Sequence, residues 1–418
     1  MKSWLWLVLG VAACAISWTY MHRVLLPWEH YVNVDHGRLK AQMGDLYPRW
    51  VGTRELFLNG RNPYGPEVSH EIQIAFYGHP IEQTYDKPMF DIVDEQRFVY
   101  PIFVVFLLAP TVHADFSQLE AWAPIVLGAF VAITVLLWLN LLKWHPPPPV
   151  LAGVILIVLS TPQIAQGLRL RQFGFFVVFL LALATWCIAR NQLAMAGALL
   201  ALATIKPQMV VLCLVWFLIW SVGDWKRRWQ VAAGFGGFLI LLILGGEFLL
   251  RGWPRDFLEG LDAYRKYFPT TSPVRLVLGD WLGGGISILG TIALIGYAWG
   301  RRAVKQDSQE FLDVMNLFLL ASTLFLPLLT PYNQALLVLP VLMLIRDWTR
   351  LSKLAKAALI AVFVWPQIIA VILLLHRPNL QSMNRTPLLP SAFVILIPFL
   401  VGWLMFARQS RAGEVSTS

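Results

Sequence analysis

Asp45 opens the stretch with the most obvious capacity for chemistry, GDLYPRWVGTRELFLNGRNPYG, the first long polar interruption in a mostly apolar chain. A carboxylate so placed is a candidate general base. Leu46, Trp50 and Phe57 recur near helical spacing after it, Asn59-Gly60 reads as a helix stop, and Asn62-Pro63-Tyr64-Gly65 reads as a turn. Such a helix would lie along a membrane surface with Asp45 at its start. Its plainer role is a helix N-cap. Asp35, in VNVDHGR, is the rival carboxylate.

A second set is basic. Arg169, Arg171, Gln172 and Lys206 stand at the ends of adjacent apolar runs. Guanidinium and ammonium groups there suit a phosphate, Arg through its bidentate fork. The competing role is anchoring to lipid headgroups, with Lys206 snorkelling. A third set mixes acids with aromatics: Glu67, Glu71, Glu82, Asp86, Asp91, Asp94 and Glu95 with Tyr64, Tyr77, Tyr85 and Tyr100. Carboxylates accept sugar hydroxyls and aromatic faces stack on pyranose rings, but apart from Asp45 each such acid reads first as an ordinary solvated residue. The segment 251–281 is amphipathic and carries five basic residues, and His376-Arg377 is a similar candidate. No Walker motif, GxGxxG, HExxH or Cys/His cluster occurs, which argues against ATP-driven transport and zinc hydrolysis by those motifs.

The elements that must hold these groups are membrane helices. The 418 residues are 57% hydrophobic and 14% charged, with a mean hydropathy of +0.62. Soluble domains run nearer 25% charged. The 19 Trp suit interfacial belts, and a net charge of +9 fits cytoplasmic loops on anionic headgroups rather than nucleic acid. Cys14, Cys187 and Cys213 lie in apolar runs and read as packing residues. The apolar N-terminus reads as a retained span rather than a cleaved signal. Apolar segments near 4–21, 118–142, 150–167, 173–190, 192–205, 208–222, 229–250, 282–300, 311–329, 334–346, 357–376 and 390–407 predict about twelve transmembrane helices.

The stretch 99–112, between prolines, is short for a span. Treated as a juxtamembrane or re-entrant helix, with the N-terminus cytoplasmic, it puts every basic cluster of a short loop inside: Lys143, Arg190, Lys226 to Arg228, Arg301 to Lys305, Arg346 to Lys356 and Arg408 to Arg411. The same parity gathers a first loop of about 22–117, Arg169 to Gln172, Lys206-Pro207, the 251–281 loop, Pro331-Tyr332-Asn333 and 377–389 on the outer face. The chain reads as one integral membrane domain over 1–418, ending in a cytoplasmic tail, 408–418.

Five segments carry a family likeness: GDLYPRWVGTRELFLNGRNPYGPE, FVYPIFVVFLLAP, RQFGFFVVFLLALA, AGALLALATIKPQ and LTPYNQALLVLP. In this order they resemble the GT-C polyprenol-phosphate-sugar-dependent glycosyltransferases, most closely glycosyltransferase family 87 (DUF2029), over roughly 40–340. Ile102 replaces one Pro of the family's Tyr-Pro-Pro helix, Gly174 stands where Asn is common, and Tyr332, Asn333 and Gln334 stand where some members have a His. The resemblance implies an all-α GT-C bundle with amphipathic helices in its first outer loop, and a site at the extracytoplasmic face of the cytoplasmic membrane. It makes Asp45 the general base of an inverting transfer from a polyprenyl-phosphate-linked sugar to a lipid- or glycan-linked acceptor. Arg169, Arg171, Gln172 and Lys206 would hold the donor phosphate, and Tyr47, Arg49, Tyr64, Tyr100, Tyr332 and Asn333 would line the substrate. Neither a nucleotide nor a resident cofactor is implied, and a divalent metal is left open. A lipid-linked-sugar flippase and a non-catalytic envelope assembly protein are the alternatives. The flippase would call for charges deep in several spans or paired broken helices.

Overall fold

The computed structural model describes residues 3–35, 43–81, 94–267, 271–376 and 393–416, with backbone alone for 32–35, 267, 376, 393–394 and 409–416. Glu82, Tyr85, Asp86, Asp91, Arg377 and the rest of 377–389 lie outside the described residues. The fold is 82% helix, with no strand among the described residues.

Five helices are long and apolar enough to cross a membrane: Ser3–Tyr31, Phe116–Leu141, Trp225–Leu249, Asp280–Gly300 and Lys353–Leu375. A sixth follows if the pair Pro148–Ser160 and Pro162–Arg169, bent by 65°, counts as one span. Each of the twelve apolar segments contains a helix, but several are short. Leu193–Ala203 has 11 residues and Gly174–Ala189 has 16, about 16 and 24 Å at 1.5 Å per residue, against a hydrocarbon core of about 30 Å. The expected count of about twelve full spans is therefore not what helix length alone supplies. The stretch 99–112 forms a run of short helical turns, Ile102–Thr111, with Ile102, Val104 and Val105 fully buried.

Short helices occupy the interior and long ones the periphery. Gly174–Ala189 buries most of its residues and Pro207–Gly223 about half, and Trp138, Trp216, Trp220, Phe217, Phe311 and Phe318 fill the space around them. Trp225–Leu249 and Asp280–Gly300 instead expose Leu241, Leu244, Phe248, Trp281 and Leu289, an apolar surface suited to lipid. Leu193–Ala203 packs on Trp225–Leu249 through Gly197 and Gly234. A Cβ on Gly197 would stand 2.2 Å from the Val231 carbonyl, and one on Gly234 2.2 Å from that of Ala194. Small residues here let two backbones touch.

The first loop is ordered around the helices Leu46–Asn59 and Pro66–Tyr77. Gly60 ends the first at φ +64, as Asn59-Gly60 predicts, and Asn62 closes the turn by accepting from Tyr64 N at 3.0 Å. One expectation changes. The greasy face buries Leu46, Trp50, Val51 and Leu56, while Phe57 points out. Half of the helix is buried against other elements instead of lying on a surface. Trp50 donates to the Thr111 carbonyl at 3.1 Å, and Gly52 sits against the Phe98 ring. The helix Trp253–Tyr267 covers this unit, with Asn62 donating to Asp256 at 2.7 Å.

Candidate active site

Asp45 is held by its backbone in an unusual way. Gly44 adopts φ +72, and a Cβ there would lie 3.0 Å from the Leu170 carbonyl. Only glycine permits this approach without strain. It lets Asp45 N donate to Leu170 O at 2.9 Å, which pins the start of Leu46–Asn59 to the turn after Pro162–Arg169. Arg171 in that turn also takes a left-handed φ, +54. Asp45 precedes the helix, yet its side chain makes no cap hydrogen bond. Its Oδ2 instead accepts from Gln172 Nε2, in a different element.

Gln172 is almost fully buried, and its other amide atom, Oε1, accepts from Lys206 Nζ at 2.7 Å. Lys206 is buried as well and lies 5.0 Å from the centre of the Tyr332 ring. Burial pulls its pKa down to about 7, opposed by the negative charge of Asp45 and assisted by Arg49. Arg49, one turn along the helix from Asp45, donates to the Asp45 carbonyl at 2.8 Å and stacks 4.6 Å over the Tyr100 ring. Burial opposes its charge, but Tyr100, Asp45, Tyr264 and Asp94 together keep its pKa above the ordinary value. Arg49 Nε is buried without a hydrogen-bond partner. Asp45, Arg49, Tyr100, Gln172, Lys206 and Tyr332 thus form one cluster drawn from five separated parts of the chain.

The other expected residues sit differently. Arg169 is bonded to Glu29, and Arg171 pairs with Glu120 at 2.8 Å and reaches the Met43 carbonyl at 3.4 Å. Both guanidiniums are already met by carboxylates of this chain. Tyr47 packs among Phe116, at 4.7 Å between ring centres, and Phe76, at 5.5 Å. Tyr64 donates to the Tyr100 carbonyl at 2.6 Å, a bond that fixes Tyr100. Asn333 bonds Thr330, and its Oδ1 is buried without a partner.

Two groups enter the cluster that residue type alone did not single out. Asp94 is raised to about 6, first by burial and then by Asp45, against a backbone N–H from Gln96 at 2.9 Å. Tyr264, from the covering helix, interacts electrostatically with Asp94, Tyr332, Asp45 and Arg49. Nothing in the sequence separates Asp94 from its neighbouring acids. Its distinction is its place among Asp45, Arg49 and Tyr264, with its carbonyl accepting from the Tyr77 hydroxyl at 2.8 Å. Tyr264 lies on an amphipathic helix whose inward face was the available signal. No group of three or more metal-ligating side chains occurs among the described residues.

The model of glycosyltransferase family 87 matches residues 98–331, more than half of the chain. The chain belongs to glycosyltransferase family 87. It is a glycosyltransferase and, with several helices able to cross a bilayer, a multi-pass membrane protein. No curated protein and no solved structure matches it. The family match takes in Tyr100, Arg169, Arg171, Gln172 and Lys206. Asp45, Arg49, Asp94, Tyr332 and Asn333 fall outside it, and Asp45 and Arg49 join the family region through Gln172 and Tyr100.

Proposed function

We propose that this glycosyltransferase moves a sugar, a hexose or pentose, from a polyprenyl-phosphate donor to a lipid- or glycan-linked hydroxyl, with inversion, at the extracytoplasmic face of the cytoplasmic membrane. The observation that carries this reading is Asp45: a carboxylate that makes no cap bond to its helix and, among the described residues, no ion pair, held by an amide within a buried, partly cationic cluster. The acceptor oxygen attacks the anomeric carbon as the bond from that carbon to the phosphate oxygen breaks. The acceptor proton passes to Asp45, and the electron pair leaves with the polyprenyl phosphate. Arg49 is the cation best placed to meet the charge developing on that phosphate, because its Nε has no protein partner. Arg169 and Arg171 flank the cluster and add positive potential, reduced by Glu29 and Glu120. Tyr100, Tyr332 and Tyr264 supply faces for a sugar ring.

The donor's own sugar–phosphate bond supplies the driving force, so no nucleotide site is required. The reading also takes the shorter apolar helices as part of a bundle of about twelve membrane segments with the Asp45 cluster at its outer end. The test is a donor panel. Protein in lipid nanodiscs is given polyprenyl-phosphate-linked or nucleotide-linked sugars with a mixed glycolipid acceptor pool, and product is followed by mass spectrometry. Transfer from the polyprenyl donors alone, with inverted configuration in the product, is the expected result. Transfer from the nucleotide donors alone would overturn the proposal.

A further inference from the structure

Lys206 and Gln172 read naturally as phosphate ligands, since both lie at helix ends beside Arg169 and Arg171. Their geometry assigns them different work. A lysine ammonium only donates hydrogen bonds, so when Lys206 is charged the amide atom 2.7 Å from its Nζ is the oxygen of Gln172. That fixes the amide's orientation. Its NH2 then faces the other way, onto Oδ2 of Asp45. Without the ammonium, the amide could rotate and turn its oxygen toward the carboxylate, which would repel it. The ring of Tyr332 at 5.0 Å closes the far side of the ammonium. The backbone agrees: Gln172 N is tied to Gly167 O at 2.9 Å, in the turn whose Leu170 carbonyl takes Asp45 N.

We propose that Lys206 and Gln172 are positioning residues. Lys206 sets the amide of Gln172, and that amide binds one oxygen of Asp45 so that the other faces the acceptor. The inference rests on Asp45 being the base and goes beyond it by assigning what aims the base. It also accounts for a costly feature. A buried ammonium is expensive to keep, and a neutral amide repays little of that cost in stability. Orientation of a reacting group is a reason to retain it. The charged and titratable groups facing Lys206 are Asp45 and Arg49 from the first loop and Tyr332 from the segment after Thr330.

The test is a double-mutant cycle on the full chain in nanodiscs, with Lys206→Met, Gln172→Leu and the pair. Two readouts are taken: kcat and KM for polyprenyl-phosphate mannose with the glycolipid pool, and the position of the Asp45 carboxylate stretching band in infrared difference spectra, which reports its hydrogen bonding and is identified by its loss in Asp45→Asn. Each single change is expected to lower kcat about tenfold with KM within about twofold. The double change should cost no more than Gln172→Leu alone, because Lys206 acts through that amide. Lys206→Arg, which keeps the charge and the donors, should recover part of the loss. In the infrared spectra, both single variants should shift the Asp45 carboxylate stretch as its hydrogen bond to the amide is lost, and the double variant should match Gln172→Leu. Losses that multiply, or a rise in donor KM without loss of kcat, would make Lys206 a direct phosphate ligand and overturn the proposal. If the wild type transfers no mannose, the donor reading fails for that sugar and the carboxylate stretch alone decides: the same band shift in Lys206→Met, Gln172→Leu and the double variant supports the relay, and an unshifted band in Lys206→Met refutes it.

Discussion

Two charged clusters in this protein are built on opposite plans. Near the C-terminus, Arg408 bonds Asp347 at 2.6 Å and Asp313 at 3.2 Å, and Arg346 bonds Asp347 at 2.9 Å. Every charge there meets an opposite charge directly. Burial works to raise the Asp347 carboxyl, but Arg346 and Arg408 more than reverse it and hold it below the ordinary range. Around Asp45, neutral groups stand between the charges. An amide separates Asp45 from Lys206, Arg49 meets a carbonyl and a ring, and Asp94 is raised to about 6 rather than lowered. The first cluster satisfies its charges within the chain and joins the ends of helices. The second leaves a carboxylate and a guanidinium able to take new partners, which a reaction requires. Family membership says the chain transfers sugar; this contrast points to where.

The contrast can be broken by mutation. Asp45→Asn removes the proposed base and is expected to lower kcat by about a thousandfold with the fold intact. Asp347→Asn should do the reverse. It leaves Arg346, partly buried, and Arg408, buried and still paired with Asp313, without their shared carboxylate, at a cost of about 1–3 kcal/mol in stability, seen as a lowered unfolding midpoint. Turnover per folded molecule should barely change.

Asp94→Asn sharpens the comparison through pH. Because the folded carboxyl holds its proton to about 6 against an ordinary 3.8, the folded state binds more protons between those values, and stability falls as pH rises through that window. The variant should lack that fall in an unfolding series across pH 4–6. Lys206→Met probes the opposite sign. The lysine loses its proton near 7 in the fold and at 10.5 when unfolded, so wild-type stability should rise across that interval and the variant's should not. The smallest effect belongs to Tyr64→Phe, which deletes the bond to the Tyr100 carbonyl and should cost about 1 kcal/mol of stability with little change in kcat.

Much of the scaffold was legible in the residues. Asn59-Gly60 ends its helix, Asn62 to Gly65 turns, and the apolar segments form helices because hydropathy and turn chemistry are local. The helix start at Leu46 was legible too, but the use made of Asp45 was not. An aspartate before a helix looks alike in sequence whether it caps or faces away, and here the partner that draws it off, Gln172, lies 127 positions distant. The phosphate reading of Arg169 and Arg171 met the same limit. Glu29 and Glu120 answer those charges from other helices, and no spacing rule connects them. Helix length was legible only in part. The runs 173–190 and 192–205, read as two spans, form helices of 16 and 11 residues on either side of the turn at Arg190 and Asn191, where Asn191 takes φ +59.

The central claim is that Asp45 is the base of sugar transfer from a lipid phosphate. The most direct measurement is single-turnover transfer from polyprenyl-phosphate mannose by wild type and Asp45→Asn in matched nanodiscs, with unfolding midpoints recorded on the same preparations. The account predicts product from the wild type, almost none from the variant, and equal midpoints. Equal transfer by two equally stable proteins would contradict it and remove Asp45 from the chemistry.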